Sequence, residues 1–479
     1  MSNSKFSVKY CVLLPLVLIV TILLWALPVS AFGIDGLTAV QQRMIAIFIF
    51  AALMWMFEII PNWTTSLIVI VVMLLTVSNK GIKVFCDPAA GTLVDYKSIM
   101  ASFADPVVML FMGGFVLAIV ASKYGMDAAI AKALLGLFGK RPKFVLLGFL
   151  IVISVFSMFM SNTATAAMML AFLAPVLKSL PDDETGKVGL ALSIPVAANL
   201  GGIGTPPNAI ALGALENAGY TISFVDWMSR MVPYVIVMIA IAWVLLQLFF
   251  PFKSDRIELK IESKAGKKDW RTYVAWITFF VTILLWVTES LTGINSNIVA
   301  LIPLAVYTCT GVFSKEEIKE INWSVLWLVA GGFALGTGLN KTGLAATLIN
   351  AIPFSTMDVV LVMIIAGFIC YFLSNFISNS ATAALLVPIL VVVGTAMSDP
   401  SAANNAQFVS LGGMYAMIPF IAMCASIAML FPISTPPNAI AASTGLVQTK
   451  DMARVGIIIG VIGFVLGYFL LTKIFPFTV

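Results

Sequence analysis

The sequence predicts an all-α polytopic membrane protein of about 11 transmembrane helices plus two re-entrant helical hairpins, arranged as two inverted repeats. Three observations carry that prediction: an apolar composition poor in charge, a Lys/Arg distribution that fits one topology, and polar motifs that recur in order across the two halves. Of the 479 residues, 61% are hydrophobic and only 10% charged, with a mean hydropathy of +1.06. Soluble domains run nearer half apolar and a quarter charged, so the soluble, disordered and disulfide-scaffold classes are excluded.

A spanning helix needs about 20 residues. Apolar segments fall at 10–32, 44–60, 64–78, 105–123, 187–217, 228–252, 272–292, 296–312, 323–340, 408–445 and 454–475. The first, from Val12 to Ala31, is long for a signal-peptide core and lacks a clean cleavage site, so it reads as a retained helix. Two further stretches, 144–178 and 356–396, are too long for one span and carry polar residues at their middles. Each is expected to be a re-entrant hairpin. The hydrophilic stretch 253–271 reads as a cytoplasmic linker between an N-terminal half, 1–252, and a C-terminal half, 272–479. Met126–Lys140 and Lys341–Ala351 are short and amphipathic, and are expected to lie along the membrane interface.

Orientation follows from the basic residues, which concentrate in cytoplasmic loops. With the N-terminus cytoplasmic and each hairpin entering and leaving on one side, the cytoplasmic loops hold 20 of the 27 Lys and Arg. The C-terminus then lies outside. Reading either hairpin as a single span moves every later loop to the other side and destroys the bias.

The internal repeat is explicit in the residues. Met112-Gly113-Gly114-Phe115 is echoed by Ala330-Gly331-Gly332-Phe333. Ser161-Asn162-Thr163 is echoed by Ser378-Asn379-Ser380, and Gly204-Thr205-Pro206-Pro207-Asn208 by Ser434-Thr435-Pro436-Pro437-Asn438. Trp55 and Glu58 find looser counterparts in Trp286 and Glu289. On the topology above the first hairpin opens from the cytoplasm and the second from outside. Inverted repeats of this kind are the layout of secondary transporters.

Polar atoms at membrane depth must be satisfied, and non-helical backbone persists there only inside protein or beside a water-filled cavity. A Ser-Asn-Thr tip supplies hydroxyls, an amide and free backbone groups. Thr-Pro-Pro-Asn forces a helix break, because proline lacks a donor and restricts its predecessor. Each half therefore offers a hairpin tip facing an unwound helix. Neutral oxygens suit a hard monovalent cation such as Na⁺, whereas half-helix N-termini with Asn and Ser/Thr donors suit a carboxylate. With no Lys or Arg at either motif, an anion needs accompanying cations to offset several kcal/mol of desolvation per ion. The Gly-Gly-Phe pairs read as close packing. Glu58 and Glu289, near segment ends, read as capping or scaffold groups rather than a proton relay.

The chemistry of enzymes finds no support. His is absent, and the five cysteines (Cys11, Cys86, Cys309, Cys370 and Cys424) show neither a metal spacing nor a disulfide framework. The small net charge of +5 gives no reason to expect a nucleic-acid partner.

From about Trp55 to the C-terminus, the paired Ser-Asn-Thr and Thr-Pro-Pro-Asn motifs resemble the divalent anion/sodium symporter family of sodium-coupled di- and tricarboxylate transporters. The resemblance implies an inner-membrane homodimer that imports C4-dicarboxylates such as succinate, malate or fumarate by Na⁺ symport, one part of each protomer moving as an elevator. It further implies that Asn162, Thr163, Asn379 and Ser380 bind substrate, helped by Thr205, Pro206, Thr435 and Pro436. One Na⁺ site would use Ser157, Ser161, Asn162 and Gly204, and the other Ser374, Ser378, Asn379 and Ser434. No organic cofactor is expected. The second tripeptide departs from the family pattern in ending with Ser380 instead of Thr, which bears on substrate preference. Alternatives within the resemblance are Na⁺-independent exchange of 2-oxoglutarate against succinate or malate, and a citrate or sulfate carrier.

Overall fold

The computed structural model describes residues 9–202, 206–257, 269–351 and 354–474. Among these residues the regular structure is helical, apart from one isolated bridge between Ser78 and Val94. Helices of eight residues or more are numbered in chain order. The first part holds α1 (Leu14–Ala26), α2 (Ala39–Phe57), α3 (Asn62–Thr76), α4 (Pro106–Lys123) and the short α5 (Met126–Gly136). The first hairpin follows as α6 (Pro142–Phe159) and α7 (Asn162–Ser179), then α8 (Gly186–Gly201), α9 (Pro206–Asn217) and α10 (Phe224–Phe249).

The second half retraces this order. It contains α11 (Trp270–Val287), α12 (Leu301–Cys309), α13 (Trp323–Lys341) and α14 (Leu344–Ala351). The second hairpin is α15 (Val359–Ser374) and α16 (Asn379–Ser398), followed by α17 (Gly413–Ser426), α18 (Pro436–Ser443) and α19 (Thr449–Phe469). The sequence α4 to α10 thus repeats as α13 to α19. The hairpins match the expected spans within three residues, and the apolar segments 187–217 and 408–445 each divide at the Thr-Pro-Pro-Asn motif. The amphipathic segments form α5 and α14. Of the linker expected over 253–271, residues 258–268 lie outside the described residues.

Among the described residues seven helices are long and apolar enough to cross a bilayer, and shorter apolar helices accompany them. The broken helices occupy the core. Every residue of α8 except Val188 is buried, as suits a helix that is apolar all round. Outward-facing apolar rows lie elsewhere, for instance Tyr273, Ile277, Phe280 and Leu284 on α11. The Gly-Gly-Phe pairs fall inside α4 and α13 and act as packing points. A Cβ on Gly113 would strike the Ala300 carbonyl, and one on Gly331 would strike the Ser66 side chain.

The looser pairings also recur. Trp55 Nε1 donates to the Asn62 carbonyl and Trp286 Nε1 to the Ser296 carbonyl, each at 3.1 Å. Glu58 accepts from the Asn62 side chain, and Glu289 from the backbone N–H of Phe224 at 3.0 Å and of Ser296 at 3.3 Å. Both carboxylates therefore serve the scaffold, as expected.

The two halves exchange their broken segments. Helix α9 of the first half packs on α16 and α17 of the second, while α18 packs on α7 and α8 of the first. Side chains tie this exchange together. Asn199, near the end of α8, donates to Thr435 Oγ1 at 3.2 Å and Asn438 Oδ1 at 3.3 Å. In the mirror position Asn208 Nδ2 donates to Ser426 Oγ, at the end of α17, at 3.3 Å.

Candidate functional site

Each hairpin tip is built by a serine that caps the returning arm. Ser161 Oγ accepts from the Ala164 N–H at 3.2 Å, and Ser378 Oγ accepts from the Ala381 N–H at the same distance. The cap satisfies one of the orphan donors that every helix start exposes. It leaves Asn162 and Asn379 as the first helical residues of α7 and α16, where the positive end of the dipole sits.

Behind each tip, three oxygens converge. Ser157 Oγ lies 2.6 Å from Asn162 Oδ1 and 2.7 Å from the Ala198 carbonyl. Ser374 Oγ lies 2.8 Å from Asn379 Oδ1 and 2.9 Å from the Ala425 carbonyl. One hydroxyl proton cannot serve two acceptors at once. Each cluster is therefore richer in lone pairs than in hydrogens, and both serines are fully buried. Ala198 and Ala425 belong to the last turns of α8 and α17, whose carbonyls have no helical partner and carry the negative end of the dipole. The set favours a small cation behind each tip and an anion in front of it.

The accepting carbonyls of Ala198 and Ala425 are not legible in the sequence as members of these clusters. An alanine offers no side-chain signal, and their only mark is that they stand next to Asn199 and Ser426, at equivalent points of the repeat.

The break motifs differ in what they present. Thr435 caps α18 by accepting from the Asn438 N–H at 3.3 Å, and its hydroxyl donates to Asn438 Oδ1 at 2.9 Å. Its side chain is buried, while Pro436 is exposed. Ser434 Oγ donates to the Asn375 carbonyl at 2.8 Å and accepts from the Phe431 N–H at 3.0 Å. Asn438 Nδ2 holds the carbonyls of Met429 and Phe431 at 3.0 and 2.8 Å, and Asn208 Nδ2 holds that of Gly202 at 2.7 Å. The asparagines of both motifs thus fix the unwound backbone. Gly204 and Thr205 lie outside the described residues, and Pro206 opens α9.

A cavity of about 800 Å³ opens against the first tip, lined among others by Ser161, Thr163, Phe115 and Asn322. Thr163 is exposed to it, whereas Asn379 and Ser380 do not line it. Ser378 instead meets Asn62 Nδ2 of α3 at 3.5 Å. The structure brings each tip together with its own serine and helix end but does not bring both tips to this cavity. Its mouth carries Lys123, Asp127, Glu317 and Glu320. Lys123 Nζ pairs with Glu317 Oε1 at 2.6 Å and donates to the Val312 carbonyl at 2.9 Å. Burial opposes the charge on Glu317, but hydrogen bonds from Lys123 and Ser314 outweigh it and hold the carboxyl down at about 2. Burial pushes the Asp127 carboxyl up, beyond what the Ala128 N–H recovers.

Duplicated helical hairpins facing broken helices and joined by exchanged segments define an integral membrane transporter of inverted-repeat type. The chain matches the citrate transporter family (CitMHS) over residues 52–413 and belongs to it, within the divalent anion/sodium symporters. It is 29% identical to the sodium-dependent dicarboxylate transporter SdcS of Staphylococcus saprophyticus over 95% of this chain and 90% of that protein. It is 28% identical to SdcS of Staphylococcus aureus strain USA300 over 86% of this chain and 82% of that one. In fold it is similar to the Alcanivorax borkumensis YdaH transporter, with a TM-score of 0.53 at 13% identity, covering 79% of this chain and 87% of the other.

Proposed function

We propose that this protein is a secondary active transporter importing C4-dicarboxylates such as succinate, malate and fumarate by Na⁺ symport. The observation that carries the reading is the duplicated oxygen cluster, Ser157–Asn162–Ala198 and Ser374–Asn379–Ala425, each with more acceptors than protons. Neutral, dehydrated oxygen sets of this kind suit Na⁺ rather than a proton or a divalent ion, which would call for carboxylates. The relatives named sodium-dependent dicarboxylate transporters support the same choice.

The substrate carboxylates sit at the N-termini of α7 and α16, taken by Asn162, Thr163, Asn379 and Ser380, with Thr205, Pro206, Thr435 and Pro436 shaping the walls. Ser161, Gly204, Ser378 and Ser434 complete the ion sites. The cavity mouth, with three carboxyl groups to one amine, attracts cations more than it attracts a dianion. Bound Na⁺ then supplies the positive charge that the substrate requires. Movement is of the elevator type: the hairpins with α8–α10 and α17–α19 travel as one body against α2–α4 and α11–α13. Polar contacts between the two bodies, such as Asn62–Ser378 and Asp105–Asn217, are sparse enough to break and re-form. The assembly is a homodimer in the plasma (inner) membrane, N-terminus cytoplasmic and C-terminus outside.

Succinate binding to the purified protein in Na⁺ and in K⁺ at equal ionic strength tests the reading. Saturable binding only in Na⁺, displaced by malate and fumarate, is expected. Equal binding in K⁺ would contradict the coupling, and stronger displacement by citrate or sulfate would reassign the substrate.

A further inference from the structure

Between Asp127 and Asp182 the chain holds five basic residues, Lys132, Lys140, Arg141, Lys143 and Lys178, and no Asp or Glu. Three of them fall in the turn that joins α5 to α6, at the base of the first hairpin. Lys140, Arg141 and Lys143 are exposed, and none of them makes an ion pair among the described residues. The neighbouring linker supplies no opposing charge. Asp255 and Arg256 offset each other, and residues 258–268 carry four Lys to two Glu.

This turn is a fixed structure. A Cβ on Gly148 of α6 would strike the Phe138 ring, so the turn is folded back on the hairpin arm. Ile257, 1% exposed, donates its N–H to the Lys140 carbonyl at 2.8 Å, and Trp243 Nε1 of α10 donates to the Lys143 carbonyl at 2.8 Å. Backbone held at these points presents the basic side chains from a set position. Two apolar side chains of the same stretch are exposed with them, Leu137 at 78% and Phe144 at 43%. Val244 and Leu248, near Trp243 on α10, are exposed as well. The corresponding turn of the second half, between α14 and α15, has no Lys or Arg and one acid, Asp358. Closing a hairpin base in this fold therefore does not require the charges.

Exposed apolar side chains beside unpaired cations fit a boundary that is hydrocarbon on one side and anionic on the other, and tryptophan is the residue that marks such a boundary. A free anion would use the cations but leave Leu137 and Phe144 without a partner. We propose that the α5–α6 turn is a binding site for an anionic phospholipid. Lys140, Arg141 and Lys143 hold the phosphate, and the acyl chains lie on Leu137, Phe144 and the Val244–Leu248 face of α10. Because the turn closes the base of the hairpin whose tip is Ser161–Thr163, a bound lipid anchors that hairpin to the membrane surface. The inference stands on this surface alone and does not depend on which substrate is carried.

Basic residues at a membrane face also direct insertion, a role that ends once the protein is folded, so the test uses the folded protein. Purified full-length protein in neutral detergent is titrated with phosphatidylglycerol or with phosphatidylcholine while thermal unfolding is followed. A saturable rise in midpoint with phosphatidylglycerol alone is expected. Lys140→Gln, Arg141→Gln and Lys143→Gln are each expected to raise the phosphatidylglycerol concentration needed by about fivefold, and the triple variant by about a hundredfold. Should the triple variant fail to fold, the three single variants decide. The same loss of charge at exposed Lys80 and Lys83, in the loop after α3, is expected to leave the titration unchanged. Equal responses to the two lipids, or parent-like titrations in the three single variants, would overturn the proposal. So would an equal effect of glycerol phosphate, which would make the turn a site for free anions.

Discussion

Asn199 Nδ2 donates to Asn438 Oδ1 at 3.3 Å, although the two residues stand 239 positions apart in opposite halves of the chain. The bond closes a chain of amides that also holds the carbonyls of Met429 and Phe431. It fixes the second broken helix against the first hairpin's supporting helix α8. Removing one member of a buried set leaves the others unsatisfied at about 1–3 kcal/mol each. Asn438→Ala is therefore expected to lower the thermal midpoint of the purified protein, whereas the same change at exposed Asn340 should leave it near the wild-type value.

Asn162→Ala and Asn379→Ala each remove an oxygen from one of the two buried serine clusters and the first polar side chain of a half-helix. Both variants are expected to abolish succinate uptake while keeping the elution volume and helical content of the parent. Near-normal uptake by the two would remove the tips from the site.

Ser380→Thr restores the methyl that the second tip lacks relative to the first. It is expected to change the ranking of succinate, malate and fumarate in competition assays by a few-fold while leaving the Na⁺ requirement intact. An unchanged profile would show that this position does not touch substrate.

Glycines in α4 give a contrast between neighbours. Gly113→Ala drives a methyl into the Ala300 carbonyl, while a Cβ on Gly114 meets nothing within 4 Å. Overpacking costs about 1–3 kcal/mol, so Gly113→Ala should lower stability and yield measurably and Gly114→Ala should be tolerated.

The Lys123–Glu317 pair makes a statement about pH. The Glu317 carboxyl is depressed from an ordinary 4.5 to about 2. A depressed carboxylate contributes stability that is present above 4.5 and is lost as the pH falls through about 2. The Glu317 carboxylate therefore stays ionised across the whole neutral range. A pH profile of uptake measured there is expected to be the same for Glu317→Gln as for the parent in shape, whatever the change in rate.

Much of this architecture was legible because membrane proteins write their exceptions in polar residues. Ser161–Thr163, Ser378–Ser380 and the two Pro-Pro-Asn motifs are conspicuous against an apolar background, and their order revealed both hairpins and both broken helices. The roles of Asn208 and Asn438 were harder to read. Their position in a break motif suggested a site, yet their side chains are spent holding unwound carbonyls. Ala198 and Ala425 act through backbone alone and leave no side-chain mark in the sequence. The exchange of α9 and α18 between halves is likewise invisible, because long-range pairing is fixed by shape rather than by any local pattern.

Labelled succinate uptake into proteoliposomes, with and without an inward Na⁺ gradient and with vesicles either empty or preloaded with dicarboxylate, tests Na⁺-coupled import most directly. Accumulation in empty vesicles that requires the Na⁺ gradient is the predicted result. Uptake confined to preloaded vesicles and indifferent to Na⁺ would make the protein an exchanger and reduce the Ser157 and Ser374 clusters to structural polar contacts.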